Sequence, residues 1–175
     1  FDELDASATA ALLVFNMALD NGAQAFPDGL VIQHPDFIAI ASGNTLGAGA
    51  NRKYVGRAVL DAATLNRFTN CYIDYDEVLE EQLVLAEYNA ALPEGTTPLT
   101  SLNRVLRDML RGFRSIRTQI EELELPVVIS PRQSLSAARM LAAGFSLPQA
   151  TKLHITNKLT TDQQYRIKYP KATLP

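Results

Sequence analysis

Residues 37–68 read FIAIASGNTLGAGANRKYVGRAVLDAATLNRF, and the fold turns on how this stretch is taken. Phe37-Ile38-Ala39-Ile40-Ala41 is a continuous apolar run that stops at the polar Ser42-Gly43-Asn44-Thr45. Such runs, bounded by turn residues, suit a strand covered on both faces in a parallel sheet. In open α/β sheets, ligands bind beyond the carboxyl ends of the strands, which is where Asn44 falls. Gly43-Asn44 is also a good turn pair, so Asn44 has a purely structural alternative. The loop 45–53 holds Gly47 and Gly49 but lacks Gly-Lys-Ser/Thr, so it fails as a phosphate-cradling P-loop. It reads as a mobile connection carrying Arg52 and Lys53. Val59 to Phe68 has a helix pattern, with Leu60, Ala63, Leu65 and Phe68 near one face. Arg67 at its end delivers a cation, or merely complements the helix dipole.

Upstream, Phe1-Asp2-Glu3-Leu4-Asp5 places three carboxylates in five residues. Ala6 to Leu19 reads as a helix closed by Asn21-Gly22, with Asp5 or Ser7 as N-cap. The acids then either cap that helix or do chemistry. In the second reading Asp2 holds a water on Mg²⁺ and Glu3 polarises an attacking water. Leu30–Gln33, between Pro27-Asp28-Gly29 and Pro35, is a hairpin arm at most. His34 reads as a turn residue. Beyond Phe68, Thr69 to Tyr75 alternates enough for a short strand, with Cys71 buried and inert.

From Asp76 the pattern turns helical. Val78, Leu79, Leu83, Leu85 and Ala86 precede a break at Leu92-Pro93-Glu94-Gly95. Leu99, Leu102, Val105, Leu106, Met109, Leu110, Phe113, Ile116 and Ile120 then form a core-facing helical stripe. Arg104, Arg107, Arg111, Arg114 and Arg117 fall on the other side. They read as a solvated basic face, with a subunit or nucleic-acid backbone contact as the functional option. Leu125–Ile129 is a brief extended segment. Ser130-Pro131 opens a helix with N-cap and first-turn residues, and Ser146 to Gln149 opens another with capping-box spacing. Arg132 in a first turn faces an unfavourable helix dipole, which hints at a use such as meeting a phosphate. Thr161 to Lys168 reads as a last short helix and Pro170–Pro175 as a fraying tail.

Composition bounds the rest. The chain has 175 residues, 47% hydrophobic and 20% charged, so it is long and apolar enough to bury a core. Its formal net charge of −3 gives no global case for nucleic acid or an anionic membrane. One cysteine excludes an internal disulfide and a Cys-based zinc cluster, and favours a reducing, cytoplasmic setting. No apolar run has the length of a membrane span. The start at Phe1-Asp2-Glu3, without methionine, reads as a fragment whose N-terminal part is absent.

Together the pieces resemble a family. Asp2-Glu3 after an apolar residue looks like the end of a Walker B motif, and Asn44 is similar to the sensor 1 of AAA+ ATPases. Arg67 in LDAATLNRF resembles their arginine finger, and Ser130-Pro131-Arg132 their sensor 2. The phrasing of HPDFIAIASGNTLGAGANRKYVGRAVLDAATLNRF resembles the branch containing MoxR-type ATPases, the cobaltochelatase ATPase subunit and related phage ATPases. The resemblance implies an α/β fold, the C-terminal half of a P-loop NTPase parallel-sheet core over residues 1–75, followed by an all-α lid domain over 76–175. The N-terminal strands and the P-loop are absent. It further implies ATP and Mg²⁺ as cofactors, a homo-oligomeric ring of the hexamer type, and a client protein or complex that is remodelled. Asp2 would serve the metal, Glu3 the water, Asn44 the water or γ-phosphate, and Arg132 the phosphates. Arg67 would reach a neighbouring subunit's nucleotide, with Arg57 a second candidate for that contact. Two alternatives are a ring subunit that has lost catalysis, and a helical module binding nucleic acid or an acidic partner.

Overall fold

The computed structural model describes residues 1–20 and 22–168. Pro170–Pro175, read above as a tail, and Asn21 of the first helix stop lie outside them. The chain separates into two compact units, Phe1–Tyr72 and a second beginning at Ile73.

In the first unit a 3-10 turn at Leu4–Ala6 leads into α1 (Thr9–Asp20). A hairpin follows, β1 (Ala23–Phe26) antiparallel to β2 (Gly29–Ile32), closed by the two residues Pro27-Asp28. Among the described residues the one later helix of this unit is the single turn α2 (Ala62–Leu65), where Asp61 caps the Thr64 N–H at 2.6 Å. The small core joins Leu4, Leu12 and Leu60 with Phe15, Ala41, Leu65 and Phe68. Phe15 stacks on Phe1 at 4.7 Å and on Phe68 at 6.1 Å between ring centroids.

The expected α/β parallel-sheet core is corrected here. Among the described residues the sheet is one antiparallel pair, β1 and β2, and neither 37–41 nor 69–75 forms a strand. A strand exists only where neighbouring chain takes its backbone hydrogen bonds, and these apolar runs lack that neighbour along their length. Ile38 and Ile40 are accordingly 79% and 77% exposed, not covered on both faces. Cys71, expected to be buried, is exposed for the same reason. The helix expected over 59–68 shrinks to α2, because Val59 is instead drawn into a bridge with Ala48.

That bridge explains the glycine-rich loop. Leu60 N–H donates to Gly47 O at 3.0 Å, folding 48–59 back on itself. Gly47 has φ +78, and a Cβ there would lie 3.0 Å from both Leu60 Cβ and Leu65 Cδ2. Gly47→Ala is therefore expected to destabilise the first unit by about 1–3 kcal/mol, from left-handed strain and overpacking against buried Leu60. Faster amide exchange across residues 47–60 would report it, and unchanged exchange would contradict it.

The second unit is helical: α3 (Glu77–Ala90), α4 (Arg104–Glu122), α5 (Pro131–Ala142), α6 (Leu147–His154) and α7 (Thr161–Arg166). Local chemistry starts each helix. Asp76 and Asn103 accept first-turn N–H groups of α3 and α4. Ser146–Gln149 and Thr160–Gln163 form reciprocal capping boxes at α6 and α7. Pro131 opens α5 behind Ser130, and Gly144 at φ +90 follows its end. The stripe on α4 is buried from Leu106 onward, with Leu106, Met109, Leu110, Phe113, Ile116 and Ile120 in the core beside Val84, Ala137, Ala138 and Ala150, while Val105, expected in it, is exposed.

The arginine face is a second correction. Arg117 is buried, and Arg114 is largely covered. Both hold Glu80 of α3, at 2.9 Å from Arg117 Nη2 and 3.1 Å from Arg114 Nε. Ser134 of α5 donates to the same carboxylate at 2.7 Å, and Arg117 Nε donates to Ile129 O at 2.9 Å. Arg117 also lies over the Tyr75 ring, 4.6 Å from its centroid. Burial alone would push the Glu80 carboxyl up. The hydrogen bonds from Arg117 and Ser134, with the Arg117 charge, outweigh it and hold the group below the usual carboxylate range. Arg104 and Arg111 are exposed and share Asp108, and Arg107 is exposed with its Nη1 donating to Leu102 O at 2.7 Å. The N-terminal part of the stripe, Arg104, Arg107 and Arg111, is exposed as read, and its C-terminal part, Arg114 and Arg117, is an internal tie among α3, α4 and α5.

Candidate functional site

The candidate site is built where the chain start meets the polar stop after Ala41. The Phe1 amino group donates to Ile40 O at 2.6 Å, and Ser42 N–H donates to Phe1 O at 2.9 Å. Leu4 N–H then donates to Ser42 O at 2.8 Å. These bonds bring Asp2 and Glu3 beside Ser42, Gly43 and Asn44, some forty residues away in sequence.

At that junction Ser42 Oγ donates to Asp2 Oδ1. Glu3 N–H is shared between Asp2 Oδ1 at 3.0 Å and Ser42 Oγ at 3.3 Å. Glu3 itself lies in the left-handed region, φ 54 and ψ 49. For a residue with a Cβ this costs about 1–3 kcal/mol and persists only where the surroundings hold it. The Glu3 side chain is 57% exposed, and its Oε1 meets Arg57 Nη2 at 3.0 Å. The Asn44 side chain is exposed and carries no hydrogen bond among the described residues.

Asp5 was expected as a helix cap and does something else. It is 1% exposed, and its Oδ2 accepts three donors of the polar stop. These are Asn44 N–H and Thr45 N–H, each at 2.9 Å, and Thr45 Oγ1 at 2.8 Å. Its Oδ1 faces Arg57 Nη1 at 3.3 Å. Burial works to raise this carboxyl. The Thr45 hydroxyl, the two N–H groups and the Arg57 charge together hold it below the usual range. A Cβ on Gly43 would sit 3.3 Å from Asp5 Cγ, so a larger residue there asks the carboxylate to give by a few tenths of an ångström.

Of the other expected site residues, Arg57 lies at this junction and Arg67 does not. Arg67 grips Asp20 of α1 through Nε at 2.8 Å and through Nη2, and its Nη1 donates to Ala63 O. Arg57, the second candidate for a contact between subunits, faces its own chain, with its side chain 11% exposed. Arg132 belongs to the second unit, in the first turn of α5, exposed and, among the described residues, without a hydrogen bond or ion pair. Sequence reasoning brought forward Asp2, Glu3, Asn44 and Arg57 without their mutual contacts, and missed Asp5 and Ser42. No periodicity or spacing marks Asp5, because its partners are Asn44, Thr45 and Arg57.

No family model, curated protein or solved structure matches the chain. The donor set therefore has to speak for itself. Among the described residues no group of three or more His, Cys, Asp or Glu is arranged to hold a metal. Mg²⁺ does not need such a cage, since it usually takes one or two carboxylates, waters and substrate phosphates. Among the described residues no helix is long and apolar enough to cross a membrane.

Proposed function

We propose that this chain contributes to ATP hydrolysis in a ring-forming ATPase that remodels or loads a partner. The observation that supports this most is the junction of Asp2-Glu3 with Ser42–Asn44, held by the backbone bonds of Phe1 with Ile40 and Ser42. Phosphoryl transfer to water needs a metal on the phosphates, an oriented water and positive charge against the developing negative charge. In this reading Asp2, with Ser42, takes Mg²⁺, which when bound neutralises phosphate charge. Glu3 accepts the proton of the attacking water, and Asn44 orients that water or the γ-phosphate. Arg132, in the first turn of α5 in the second unit, is retained as a candidate phosphate-binding cation by its exposure alone. Arg67 exchanges Asp20 for the nucleotide of a neighbouring subunit. A reducing, cytoplasmic setting agrees with a single exposed cysteine.

The chain contains no Gly-x-x-x-x-Gly-Lys-Ser/Thr. The proposal therefore assigns the phosphate cradle to residues outside these 175. The purified 175-residue chain is expected to show no ATPase activity above background, whereas the natural gene product that carries it turns over MgATP. In that gene product Asn44→Ala is expected to lower kcat by about 10²-fold, comparable to losing one transition-state donor. Turnover by the 175 residues alone would refute the assignment of the cradle. A gene product that binds ATP without hydrolysing it would favour a structural ring subunit.

A further inference from the structure

Asp5 is the one carboxylate of this neighbourhood that is fully enclosed, and its two oxygens serve different segments. Oδ2 gathers Asn44 N–H, Thr45 N–H and Thr45 Oγ1, while Oδ1 meets Arg57, whose other nitrogen holds Glu3. The Asp5 backbone takes part as well, since Ala58 N–H donates to Asp5 O at 2.8 Å. We propose that Asp5 is a positioning residue for the hydrolytic site, fixing Asn44 directly and Glu3 through Arg57. This rests on the function proposed above and adds to it two cis roles, for a residue first read as a cap and for one first read as reaching a neighbour.

The physical need is specific. Glu3 is exposed and sits on a left-handed turn, and among the described residues Arg57 alone restrains its carboxylate. Asn44 is exposed and, among the described residues, has no side-chain bond, so its direction depends on how its backbone is held. A buried carboxylate accepting three donors is a rigid anchor, because each lost bond would leave a polar group unsatisfied. Catalytic groups act only when held within a fraction of an ångström of the reacting geometry. Asp5 therefore couples the water-activating and water-orienting residues in one body.

The two oxygens can be separated by mutation. Asp5→Asn keeps an acceptor for the 44–45 donors but turns an amide toward Arg57, and Arg57→Gln removes the charge from the other side. In the natural gene product, each is expected to lower kcat for MgATP by about tenfold or more, with KM within about threefold. The double variant is expected to be no slower than either single one, since both break the same link. Asp5→Ala should in addition speed amide exchange at residues 43–45, which Arg57→Gln should not. Unchanged kcat, or losses that multiply in the double variant, would overturn the proposal while leaving the ATPase reading in place. No MgATP turnover in the unmutated protein would overturn both. If Asp5→Ala does not fold, Asp5→Asn and Arg57→Gln still decide.

Discussion

Glu80→Ala is expected to destabilise the helical unit by about 3–5 kcal/mol, the usual result of breaking a buried ion pair from one side. The substitution removes the carboxylate that ties α3 to α4 and α5, and leaves Arg117 in the core without its counter-charge. Ser134 loses its acceptor at the same time, and Arg114 keeps only Glu77 and Glu81. Urea unfolding followed by helical circular dichroism measures it, and a loss below about 1 kcal/mol would show that the network can be dispensed with. Replacing both partners, Glu80→Leu with Arg117→Met, is expected to cost less than Glu80→Ala alone, because no uncompensated charge stays buried.

The same group sets a pH dependence. The folded carboxyl titrates below its unfolded value, which is about 4.3 for glutamate. Its stabilisation is therefore complete above that value and is lost as pH falls through the lower, folded one. The unfolding midpoint of the helical unit should drop on going from pH 7 to below about pH 4. Glu80→Gln should flatten that drop.

Glu3→Gln is the second large effect. In the natural gene product it is expected to reduce ATP turnover by about 10²–10⁴-fold, the span that a positioned general base contributes. Glutamine keeps the length of the side chain and an oxygen for Arg57, but does not take a proton from water. Since the Glu3 side chain is more than half exposed, the fold should not change, and KM for ATP should hold. Steady-state hydrolysis with MgATP reads the result. Unchanged turnover would remove Glu3 from the chemistry and leave its ion pair with Arg57 as a structural bond only.

Local and non-local interactions separate what could be read in advance. The α4 stripe, the openings of α5 and α6, Gly144 after α5 and the Pro27-Asp28 turn all depend on residues within a few positions of each other. Helical period and capping chemistry make such features visible in the chain itself. Phe37–Ala41 carries an equally clear apolar signal yet forms no strand, because pairing depends on distant chain that composition does not reveal. Arg114 and Arg117 have the spacing of a surface stripe. Whether they meet solvent or Glu80 depends on how α3 packs.

For the candidate site the division is sharper. Sequence by itself determined the residue types and their order: Asp2-Glu3, then Asn44, Arg57 and Arg67, then Arg132. It also determined that no lysine-bearing phosphate loop lies within the 175 residues. Tertiary structure alone decided that Phe1 joins Ile40 and Ser42, that Asp5 anchors Asn44 and Thr45, and that Arg57 turns to Glu3 in its own chain. The physical reason is burial. Once the chain closes over Asp5, its charge must find donors wherever the fold brings them, and the donors within reach lie about forty and fifty residues away.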